Sequence, residues 1–421
     1  MQKDIFELVD DLWTGKASIE DHHPVTQASS LVLVSSSCAF VPSFANVSVF
    51  ATDDGLVMVD TGSQFLAKSV FDQVRKWNPS RLDTAVYSHG HIDHVFGVPL
   101  YQQEAVEKGW APPRVMAHEA LADRFDRYKF TAGYNSVINQ RQFGLPNFEW
   151  PVEYRYPDET YQTSLTARVG GLEFTLYHAK GETDDHTWTW FPSLKTICCG
   201  DLFIWASPNA GNPQKVQRYP REWARALRTM QGLGATTLLP GHGLPVVGAN
   251  RVDQALGDTA ELLEYLVEAT IELMNQGATL NDIIHSVIPP DRLMGKPYLR
   301  PVYDEPEFVI RTVWRQYGGW YDGDPSNLKP ARSNELAQEI SSLAGGPTRL
   351  VDRALELLEE DDYRLACHLI EFAYLASPSD SKVAQVRSQI YRERALHETS
   401  TMAKGIFNWA SKQSDGLTPT N

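Results

Sequence analysis

Positions 89 to 94 read His89-Gly90-His91-Ile92-Asp93-His94. Two histidines two residues apart, then an adjacent Asp and His, cannot all project from one face of a helix. On a turn after a strand they splay toward two neighbouring points, and imidazole nitrogens with a carboxylate are donors that suit Zn2+. The preceding Thr84-Ala85-Val86-Tyr87 reads as the short strand that delivers them. Further upstream, Val70, Phe71, Val74 and Trp77 share one face of a helix predicted over 67–77. Before that, Val47–Ala51 and Leu56–Asp60 flank Asp53-Asp54-Gly55, a hairpin pattern. Strand, helix and strand with a ligand loop at the strand's carboxyl end is α/β logic.

Downstream, short strands are predicted around 174–177, 187–190 and 196–199, the last running into Gly200-Asp201. A helix follows over 223–230, then a strand, Thr236–Leu239, ending at Pro240-Gly241-His242-Gly243. From about Gln254 the periodicity turns helical. A loop rich in Pro, Gly and aromatics covers 289–330, and helices are predicted over 335–343, 350–358, 363–376 and 382–397. The chain therefore divides into 1–250, carrying the ligand loops, a connecting segment 251–332 over the site, and a helical domain 333–421.

With 53 acidic against 38 basic side chains in 421 residues, the net charge of −15 repels polyanions, which argues against a nucleic-acid partner. Apolar runs such as Leu31–Val34 are strand-sized, so no membrane span is expected. Four cysteines in a chain of this length make no disulfide framework, and with no targeting segment the expected location is cytoplasmic.

The run His89–His94 resembles the HxHxDH signature of the metallo-β-lactamase superfamily, and Val59-Asp60-Thr61-Gly62 is similar to that superfamily's strand ending in Asp-Thr-Gly. The resemblance implies an αββα sandwich with an all-α C-terminal extension, and makes Asp60 a support for a ligand loop rather than a ligand. Where most of the superfamily has a histidine, this chain has Gly181-Glu182-Thr183, followed by Asp201 and Gly241-His242-Gly243. That pattern resembles the alkyl sulfatase branch, with Asp201 in place of its bridging glutamate. Ala132–Asn135, Tyr317–Pro325 and the helical tail are similar to further stretches of that branch, the tail to its dimerisation domain. The branch's C-terminal lipid-carrier-like domain is not expected in a chain ending at Asn421.

By this resemblance, two Zn2+ per chain are implied. His89, His91 and Glu182 would hold one, Asp93, His94 and His242 the other, and Asp201 would bridge. His178 and His186 flank Glu182 as rival donors, and Asp201 could instead cap a turn. Two dications against three carboxylates and a hydroxide make a neutral cluster, one unit less positive than with histidine at 182, so a weaker acidification of water is expected. The catalytic residues would be Asp93 and Asp201, and the substrate would be met by Arg311, Asn135 and Tyr134. The expected reaction is hydrolysis of an alkyl sulfate ester, anionic with an apolar part, through a metal-bound water or hydroxide, by a homodimer. Hydrolysis of a lactone, thioester or phosphoester at the same site is the first alternative. A non-catalytic scaffold is the second.

Overall fold

The computed structural model describes residues 4–26 and 29–416. Residues 1–3 and 417–421, the outer ends of the first and last expected domains, lie outside the described residues, as do 27–28.

The first sheet runs in sequence order: β1 (Val32–Leu33), β2 (Cys38–Val41), β3 (Val47–Thr52), β4 (Gly55–Val59), β5 (Leu82–Val86), β6 (Arg114–His118) and β7 (Glu159–Tyr161). Its first four strands pair antiparallel and its last four parallel. The hairpin read from Asp53-Asp54-Gly55 is present as β3–β4, with Thr52 opposite Gly55. The second sheet comprises β8 (Ser164–Val169), β9 (Leu172–His178), β10 (Thr187–Phe191), β11 (Thr196–Gly200), β12 (Thr237–Pro240) and β13 (Val246–Val247), adjacent in that order. Only β11 and β12 are parallel among the described pairs of this sheet.

Strand alternation explains the layering. Phe40, Phe50, Val57, Val59 and Val86 of the first sheet meet Phe174, Leu176, Phe191, Cys198 and Leu239 of the second in one buried core. The intervening residues face outward. Met58, Ala85 and Val115 pack on Val70, Val74, Val98 and Leu121 of helices on one side. Ile197, Cys199 and Leu238 pack on Trp223, Leu227, Leu256 and Leu263 on the other. This is an αββα sandwich. Vicinal Cys198 and Cys199 thus point to opposite sides of one strand, as small apolar core residues.

By contact the chain forms two units, one of Met1–Ala132 with Pro151–Gly319 and one of Gly133–Trp150 with Trp320–Asn421. The helix Ala249–Asn275 packs within the first unit, where its Leu262, Leu263 and Leu266 share the core of Trp223. So does Pro306–Gly318, inside the stretch read as loop; its proline stands at the first helical turn, where proline starts a helix instead of ending one. In the second unit, Pro347–Glu359, Tyr363–Ala376 and Ser381–Leu396 bury Ala354, Ile370 and Ile390 together. Within the same unit, Ala132–Phe143 approaches Thr401–Ser414 at Gly405, where an added Cβ would meet the Gln142 carbonyl. No described helix is long and apolar enough to cross a membrane.

Candidate metal centre

Two of the parallel strand pairs, β4–β5 and β11–β12, end at one place. Asp60 follows β4, and His89 comes just after β5; Asp201 follows β11, and His242 comes just after β12. The loop between β9 and β10 adds Glu182. The backbone is shaped for this meeting. Asp60 stands at φ 60, a left-handed conformation that Asp tolerates better than most side chains. A Cβ on Gly241 would lie 2.1 Å from Asp201 Oδ1, so the approach of the two loops requires glycine.

Seven donors converge there in two groups, His89, His91, Glu182 and Asp201 in one and Asp93, His94 and His242 in the other, each group's ligand atoms within 4.8 Å of one another. The Nε2 atom of His242 lies 3.4 Å from Asp93 Oδ2 and 3.2 Å from Asp201 Oδ2. His94 Nε2 lies 3.5 Å from both Asp93 Oδ2 and Asp201 Oδ1, and His89 Nε2 lies 3.7 Å from Asp201 Oδ2. Ligands about 2.0–2.1 Å from a tetrahedral ion sit roughly 3.3 Å apart, so the donor spacings here are compatible with the edges of such coordination shells. The orphaned atoms fit the same reading: His94 Nε2, Asp201 Oδ1 and Glu182 Oε2 are buried without a hydrogen-bond partner among the described residues.

Outer contacts set the orientation of His94, His89 and His242. Asp60 Oδ2 accepts from His94 Nδ1 at 2.8 Å and from the Ser88 hydroxyl at 2.8 Å, while Oδ1 accepts from the Ser88 amide at 2.7 Å. Ser88 Oγ in turn sits 2.9 Å from His89 Nδ1. Both histidines therefore present Nε2 to the centre. His242 Nδ1 donates to the Phe44 carbonyl. Asp185, paired with buried Arg124, accepts the Gly90 amide at 2.8 Å and so anchors the ligand loop from below. Burial opposes protonation of His242, but Asp201 and Asp93 overcome it and push the imidazole up to about 10. Burial, then His94 and His91, hold His89 well below the usual histidine range, in the neutral form a ligand needs.

The rival histidines are otherwise engaged. His186 Nε2 accepts the Asp201 amide at 3.2 Å, and His178 donates Nδ1–H to the His186 carbonyl at 3.1 Å. Arg311, on the helix Pro306–Gly318, pairs with Glu307 at 3.2 Å and is half exposed. Asn135 and Tyr134 lie in the second unit, Asn135 buried and Tyr134 exposed. The arginine that reaches the cluster is Arg218, which the sequence reading passed over. Its Nη2 donates to Glu182 Oε1 at 2.9 Å and its Nη1 to the Glu182 carbonyl at 2.5 Å. Asn209 donates to the same Oε1, and Asp304 holds that loop through the Gly211 amide at 2.6 Å. Burial pushes Asp304 up to about 7.

Residues 41–242 match the model of the metallo-β-lactamase superfamily, and residues 279–416 that of the alkyl sulfatase dimerisation domain. A linear primary-alkylsulfatase of Pseudomonas sp. (strain ATCC 19151) is 25% identical over 363 residues, covering 80% of this chain and 68% of its own. An (R)-specific secondary-alkylsulfatase of Pseudomonas sp. is 25% identical over 390 residues, covering 86% of this chain and 59% of its own. Among solved structures, a stereoselective inverting sec-alkylsulfatase from Pseudomonas sp. superposes with a TM-score of 0.84 at 22% identity, covering 93% of this chain and 66% of that one. The chain thus spans about two thirds or less of the length of these relatives.

Proposed function

For a chain that joins a metallo-β-lactamase superfamily domain to an alkyl sulfatase dimerisation domain, we propose hydrolysis of alkyl sulfate esters to alcohol and sulfate at a centre of two Zn2+ per chain. The observation that carries this reading is the pair of donor groups meeting at Asp201, in a chain whose curated relatives are alkylsulfatases. Zinc at such a site supplies Lewis-acid polarisation of the ester oxygens and lowers the pKa of water toward about 7. The protein's part is orientation and proton handling. Asp60 and Ser88 fix His94 and His89, and Arg218 with Asn209 fixes Glu182. Asp93, with 16% of its side chain exposed, is the most accessible of the three cluster carboxylates and takes the proton released as water attacks, with Asp201 beside it.

Zinc-loaded protein incubated with a medium-chain alkyl sulfate is expected to release sulfate, and the His91→Ala variant to release at least ~100-fold less. Absence of release by the wild type, with turnover of a lactone, thioester or phosphoester instead, would replace the sulfatase reading with another ester class.

A further inference from the structure

We propose that Arg218 is the counter-charge that lets a carboxylate at position 182 serve as a metal ligand; this rests on the two-metal reading of the site. Arg218 is 1% exposed, and among the described residues its guanidinium donates to Glu182, through both the carbonyl and Oε1. Asn209 also donates to Oε1, leaving Oε2 buried and without a hydrogen-bond partner. Two donors on one oxygen fix the carboxylate plane and leave the other oxygen for a cation.

The charge count changes accordingly. Two dications exceed the charge of Asp93, Glu182 and Asp201 by one, and Arg218 raises that surplus to two. A histidine at 182 with no arginine beside it would give the same surplus. Glu182 and Arg218 together therefore act electrostatically as one neutral ligand, and the weaker acidification of water expected from the carboxylates alone does not follow. Arg218 is a positioning residue: it acts through Glu182.

The test is zinc stoichiometry and zinc affinity, measured by chelator competition on the purified full chain for wild type, R218M, R218K, E182H and the double variant E182H/R218M. R218M is expected to bind its weaker zinc about 10–100-fold less tightly than wild type, as losses of outer-shell partners do. R218K should recover part of that loss. E182H alone leaves Arg218 buried against a neutral ligand and should bind zinc less well than E182H/R218M, which should again hold two ions. A brace with a merely structural role would not be rescued by changing its partner to histidine. Should R218M fail to fold, the comparison of E182H with E182H/R218M decides. Wild-type zinc affinity in R218M, or a double variant no better than E182H, would overturn the proposal. A wild type holding fewer than two ions would overturn the two-metal reading itself, and the proposal with it.

Discussion

His178 stacks on His118 with ring centroids 3.6 Å apart and is committed through Nδ1 to the His186 carbonyl. Burial, then the neighbouring His118, holds it down to about 4. Below about 6.5 the unfolded chain takes up a proton that the folded one refuses until about 4, so this residue's contribution to stability falls as pH is lowered through that window. The urea midpoint of the wild type should drop more steeply between pH 7 and 4.5 than that of His178→Gln; equal slopes would contradict the assignment. At this scale the candidate donors His89, His91, Asp93 and His94 were legible because four ligand-type residues crowd six consecutive positions, whereas Glu182, Asp201 and His242 were read through the family resemblance. Arg218 was not: its partner is 36 positions away, and an arginine in a loop reads the same whether solvated or buried. Arg311 was singled out by the family resemblance, and its guanidinium pairs with Glu307 four residues before it.

Strand ends carry the site, so backbone fit at those ends matters as much as ligand chemistry. Gly241 is the clearest case, since a methyl group there must displace Asp201 or part the two loops. Gly241→Ala is expected to lose zinc and at least ~100-fold in activity while keeping its far-ultraviolet circular dichroism, because the sheets' shared core lies elsewhere. Retention of full zinc content would contradict this. The β3–β4 hairpin and strands such as β5 and β9–β12 were legible, whereas β2, β6, β7, β8 and β13 were not read from the sequence. The helix Ala132–Phe143 was not, because it buries Asn135, Asn139 and Gln142 and so shows no apolar stripe. Ala120–Phe130 likewise buries Arg124, which serves the ligand loop through Asp185.

The chain as a whole shows the same limit at a larger scale. Its change of periodicity near Gln254 suggested a separate connecting segment, yet the helix Ala249–Asn275 supplies apolar side chains to the core that also holds Trp223 and Leu227. Contact between elements, not periodicity, decides which unit a helix joins, and a single sequence does not carry that information. The match of residues 279–416 to an alkyl sulfatase dimerisation domain supports the proposed homodimer. Light scattering at micromolar concentration should then give twice the chain mass; a monomeric peak would contradict it. Everything proposed for the chemistry depends on cations meeting at Asp201 between the two donor groups. The most direct test is therefore the zinc content of purified, zinc-equilibrated protein by elemental mass spectrometry. The account predicts two ions per chain, reduced in His91→Ala; a wild type that holds none would contradict it.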